Sequence, residues 1–178
     1  RLDRDASRVR PVVTPDPRWR RALHALIELA AVATAVGFIG SYFPRELMLK
    51  PTITNGGDMG SHFYPVQYLS DVLLPAGQVA GWCPGNYCGF PLFQFYFFFP
   101  FLLIALAGKL VPLTVAFKLG TVLGTFLLPV ASWGALRLAR VPFPGPALGA
   151  LAPLPFLFME ANSMWGANIP STLAGEFC

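Results

Sequence analysis

Residues 22–43 read ALHALIELAAVATAVGFIGSYF, and this stretch decides the fold. It is 22 residues with a single acid and no Lys or Arg. An α-helix of that length matches the roughly 30 Å hydrocarbon core of a bilayer. Arg20 and Arg21 stand before it. Trp19 at one end, and Tyr42 and Phe43 at the other, are the aromatics expected at the two water–lipid boundaries. His24 and Glu28 are four apart and share one helix face. They are expected to hydrogen-bond to each other or to a neighbouring helix near the inner headgroups, in preference to forming a proton relay.

The composition agrees. The chain of 178 residues is 54% hydrophobic and 12% charged, about half the charge fraction of a soluble domain. Seven of the 13 basic residues precede residue 22 (Arg1, Arg4, Arg8, Arg10, Arg18, Arg20, Arg21). A basic tail before an apolar helix is retained in the cytoplasm. The apolar remainder explains the net charge of +4 better than nucleic-acid binding does. The apolar stretch is too long for a signal peptide, and no small-residue cleavage site follows it. The chain opens on Arg1 and closes on Cys178 without a final apolar segment, so we expect a piece of a longer polytopic protein.

The expected fold class is an all-α integral membrane protein. It is a polytopic helical bundle with a large outer-face loop that contains interfacial helices. Residues 1–21 form a basic cytoplasmic tail and 22–43 the first transmembrane helix. Residues 44–113 form an extracytoplasmic loop. A helix over 64–74 lies at the interface and ends at Pro75, and residues 81–91 are turn-rich. Residues 114–136 form a transmembrane helix, 137–145 a cytoplasmic turn and 146–159 a further crossing. Residues 160–178 return to the outer face and begin a new segment. A rival topology lets residues 92–108 cross, giving four spans instead of three. Pro100 and the aromatic density of that segment favour an interfacial position.

The strongest chemical signal is Gly56-Gly57-Asp58-Met59-Gly60-Ser61-His62. Glycines let a backbone approach a ligand closely. Asp58 could take a proton from a sugar hydroxyl or hold a divalent cation, with His62 as a second ligand or hydrogen-bonding group. The rival reading is a polar turn in which Asp58 caps the following helix. Cys83 and Cys88 could close a small disulfide loop or remain thiols. Glu160, Asn162 and Asn168 cluster after an apolar stretch. Glu176 suits an early position in a helix begun at Ser171 and Thr172. No phosphate-binding Gly-rich loop, Ser/His/Asp set or zinc motif is present.

Several separated stretches resemble a known family. They are Gly56-Gly57-Asp58-Met59-Gly60-Ser61-His62-Phe63-Tyr64-Pro65, Leu74-Pro75, Gly81-Trp82, Gly89-Phe90-Pro91-Leu92-Phe93-Gln94-Phe95-Tyr96 and Gly175-Glu176-Phe177. The family is that of large bacterial membrane proteins labelled 6-pyruvoyl-tetrahydropterin synthase-related, over residues 50–178. Their architecture is similar to GT-C-class glycosyltransferases, which use polyprenyl-phosphate sugars. The resemblance implies a multi-pass protein of the bacterial inner membrane with its N-terminus in the cytoplasm. It implies a lipid-linked sugar donor and a glycan acceptor at the outer face. Asp58 and Glu176 would be catalytic, and His62, Tyr64 and Glu160 would bind substrate. Asp58 would hold any divalent cation. The alternative is a non-enzymatic transport or scaffold protein, in which Asp58 and His62 are turn residues.

Overall fold

The computed structural model describes residues 17–54, 56–85, 88–159 and 168–175. Glu160, Asn162 and Glu176 lie outside these residues. The described chain is mostly helical. Helix α1 is Arg18–Gly40 and α2 is Arg45–Leu49. Helix α3, Met59–Tyr68, loosens into a π turn at Leu69–Leu73, where the Leu74 amide donates to the Leu69 carbonyl at 2.9 Å. A short antiparallel hairpin follows: β1, Gly81–Cys83, pairs with β2, Phe90–Leu92, in the register Cys83 opposite Phe90. Then come α4 (Phe99–Ala107), α5 (Leu113–Leu138), α6 (Gly145–Leu151), α7 (Pro153–Leu157) and α8 (Ile169–Ala174).

Two helices are long and apolar enough to cross a membrane, α1 with 23 residues and α5 with 26. At 1.5 Å per residue they are roughly 34 and 39 Å long. Both start just after a proline, Pro17 and Pro112, which lack the amide that a preceding turn would use. The expected crossing by residues 146–159 is instead two short helices. Gly145–Leu157 together is an apolar run of only about 20 Å. The physical reason is proline: Pro153 supplies no N–H to the turn before it, so α6 and α7 are separate.

The helices α1 and α5 run antiparallel. At one end, Trp133 Nε1 donates to Glu28 Oε2 at 3.0 Å and Arg137 Nε lies 3.6 Å from the same oxygen. At the other end, the Phe43 and Phe126 ring centroids are 5.5 Å apart. Lys118 Nζ donates to the Leu47 carbonyl and, at 2.7 Å, to that of Lys50. This ties the exposed C-terminal end of α2 to α5. Glu28 is 2% exposed, and a buried carboxylate needs such partners. His24 does not bond to Glu28 in this arrangement; its ring stacks on Phe143 at 4.1 Å. Helix α6 packs against both α1 and α5.

Segment 44–112 therefore leaves and returns at the same end of the α1–α5 pair. A single crossing by residues 92–108 is incompatible with that. Within that segment α4 has nine residues, roughly 14 Å, less than half a bilayer core. Two cores form. One joins α3, the hairpin, α4 and the start of α5 around Val66, Leu69, Phe101 and Phe117. The other joins the end of α1 to α5, α7 and α8 around Ile39, Val122, Leu157 and Ile169.

Candidate functional site

The helix expected from residue 64 begins at Met59, five residues earlier. The cause is the turn before it. Gly57 has φ +48°, a left-handed conformation that β-carbon-bearing residues avoid. It delivers Asp58 to the N-cap position of α3. The Asp58 side chain makes no capping bond there and stays exposed. What holds Asp58 is its backbone: its N–H donates to the Ala174 carbonyl, at the end of α8, at 2.7 Å. Helix α8 is itself anchored by Asn168, 1% exposed. Its Oδ1 accepts from the Ser171 amide at 2.9 Å, and its Nδ2 donates to the Met159 carbonyl at 3.0 Å.

Close packing continues at Gly175, φ +87°, where an added β-carbon would meet the Met59 amide at 2.8 Å and His62 Cδ2 at 3.2 Å. The chain thus passes directly over the first turn of α3 just before Glu176. Clamping by α8 was not foreseeable from the residues alone. The Gly56-Gly57 pair was its only local trace.

His62 lies one helical turn beyond Asp58, and its amide donates to the Asp58 carbonyl at 3.0 Å. Both side chains line one cavity of about 290 Å³. Its other walls are Ser61, Pro65, Phe90, Leu92, Phe93, Tyr96 and Phe101. The hairpin and the aromatic loop therefore supply most of the enclosure. Phe93 takes φ +61° while buried, a conformation that costs about 1–3 kcal/mol. It turns the chain out of β2 and brings its ring centroid within 5.3 Å of that of Phe101. Phe101 also lies 6.1 Å from Tyr96 and 6.3 Å from His62. The aromatic run thus supplies a cavity wall, which its composition, that of an interfacial segment, does not reveal.

Tyr64 does not line this cavity. It projects to the hairpin, where its hydroxyl and the Cys83 thiol hydrogen-bond at 3.6 Å. That hydrogen bond, and then burial, push the Tyr64 phenol above its ordinary 10.0. Cys83 and Cys88 are both free thiols, the first buried and the second exposed. Among the described residues no three His, Cys, Asp or Glu side chains are grouped to hold a metal ion. Asp58 and His62 offer two ligands. No Lys or Arg is among the described residues lining the cavity.

No protein-family model matches the chain, and no curated protein or solved structure matches it.

Proposed function

We propose that this chain is the N-terminal part of a membrane glycosyltransferase that takes its sugar from a lipid-linked donor at the outer face. Helices α1 and α5 cross the membrane. Arg18, Arg20, Arg21, Arg137 and Arg140 then gather at one end of the pair, as cytoplasmic arginines do. The Asp58 cavity is built on α3, β2 and α4, whose core includes Phe117 near the start of α5, at the opposite end of the pair. Phe95, Phe97 and Phe99 are exposed there and suit the headgroup level of a bilayer.

The observation that carries the reading is the joint placement of Asp58 and His62 in an aromatic-walled cavity. In transfer, a bond forms between the acceptor oxygen and the sugar's anomeric carbon. The bond from that carbon to the lipid phosphate breaks, and the phosphate leaves. Asp58 orients the acceptor hydroxyl and receives its proton. The carboxylate repels a phosphate and no described lining residue is cationic, so the cavity holds the acceptor and the donor phosphate lies outside it.

The test is Asp58→Asn in the full-length protein, with sugar transfer from a labelled polyprenyl-phosphate donor measured in membranes. Transfer should fall by about 100-fold or more at unchanged protein abundance. Retained transfer would sink the catalytic role. Cysteines introduced at Arg20 and Arg140 should both react with a membrane-impermeant reagent only after the cytoplasmic side is opened.

A further inference from the structure

We infer that the Asp58 cavity binds an organic cation, a primary or quaternary ammonium group. This names the class of the acceptor proposed for the same cavity: one that carries an ammonium group beside its hydroxyl. It depends on the transfer reading only for the ligand's fate.

Four aromatic residues, Phe90, Phe93, Tyr96 and Phe101, share the cavity wall with one carboxylate, Asp58. An aromatic face is negative and attracts a cation lying within about 6 Å of its centroid. The rings of Phe93 and Tyr96 both converge on Phe101, at 5.3 and 6.1 Å. A methylated or primary ammonium in the cavity meets the exposed Tyr96 ring and the half-buried Phe90 ring, with the Asp58 carboxylate on the same lining; Phe93 and Phe101 are buried and pack against one another as the apolar remainder of the wall. The positive end of α3 offsets part of the Asp58 charge. It does not reverse the sign, because no described lining residue is Lys or Arg.

Other ligand classes fit less well. A phosphate would meet Asp58 with no cation to balance it. A neutral sugar needs several polar side chains to satisfy its hydroxyls, and besides Asp58 the wall offers Ser61, His62 and the Tyr96 hydroxyl. A bare divalent ion would find two protein ligands and a mostly apolar wall, whereas such ions prefer several oxygens. Only a cation that is itself partly apolar uses both halves of the lining.

The ammonium could belong to a soluble amine or to a lipid headgroup, and the experiment separates these. In the full-length protein, the His62 resonance of isotope-labelled histidine is assigned by its loss in His62→Gln and followed by NMR. Choline should shift the His62 resonance saturably. Its neutral carbon isostere, dimethylbutanol, should bind roughly tenfold or more weakly. Asp58→Asn and Tyr96→Leu should each weaken choline binding; both side chains are at the surface, so the fold is retained. In nanodiscs of phosphatidylethanolamine, choline binding should weaken relative to phosphatidylglycerol discs if the headgroup is the natural occupant. Equal affinity in both discs assigns the site to a soluble amine. Equal binding of choline and dimethylbutanol overturns the inference. So does choline binding that survives Asp58→Asn, saturable magnesium binding that excludes choline, or no saturable choline binding at all. Sugar transfer can fail while choline binds, and choline can fail while transfer persists, so the two readings fail separately.

Discussion

Gly57→Ala isolates the contact that holds Asp58 in place. The new β-carbon would lie 2.0 Å from the Ala174 carbonyl oxygen and 2.9 Å from its carbon. That same oxygen accepts the Asp58 N–H at 2.7 Å, so the bond cannot survive the substitution. Losing it costs about 1 kcal/mol. Forcing an alanine to keep φ +48° adds about 1–2 kcal/mol. Together, about 2–3 kcal/mol raises local opening roughly 30- to 150-fold. Hydrogen exchange at the Asp58 amide, in micelles, reads this directly. Gly60→Ala is the control, because nothing lies within 4 Å of its added β-carbon and alanine favours a helix by about 1 kcal/mol. If the Asp58 amide exchanges at the wild-type rate in Gly57→Ala, α8 does not clamp the α3 turn and the account of the site is wrong.

Three further outcomes are expected. Glu28→Gln and Trp133→Phe should each lower stability in mixed micelles, with a coupling energy of about 1–2 kcal/mol in the double-mutant cycle; additive effects would show that the 3.0 Å bond contributes nothing. The Tyr64 phenol is raised above 10.0 by its bond to Cys83 and by burial, so the folded state holds that proton more tightly than the unfolded one. Its contribution to stability is complete below pH 10 and is lost as the pH climbs through the folded value. The stability difference between wild type and Tyr64→Phe should therefore shrink above pH 10, and a constant difference would refute the shift. In a Cys178→Ser background, a maleimide should label Cys88 rapidly and Cys83 only on unfolding, since Cys83 is fully buried; equal rates would show that the hairpin is open.

The long helices were legible because crossing length and lack of charge are local properties. Residues 22–43 fall within four residues of the observed ends of α1, and residues 114–136 within two of those of α5. That Asp58 and His62 line one cavity was legible in their spacing of four, which sets them one helical turn apart. The hairpin was not, since strands of three residues leave no alternating pattern to read. The side of α3 on which Tyr64 falls depended on that hairpin, and so its distance from the cavity was hidden too. The third crossing failed at its prolines, whose positions were visible but whose summed effect on length was not. Partners as remote in sequence as Ala174 and Asp58 are set by packing, which no local pattern encodes.

The Glu28–Trp133 bond also orders events in time. Trp133 comes 105 residues after Glu28. At about 5–20 residues per second, roughly 5–20 s of synthesis separate the two. Throughout that interval a nascent α1 carries a carboxylate whose indole and guanidinium partners do not yet exist. The helix pair can lock only once the ribosome has passed Arg137, so α1 waits in the company of other molecules before it meets its own chain.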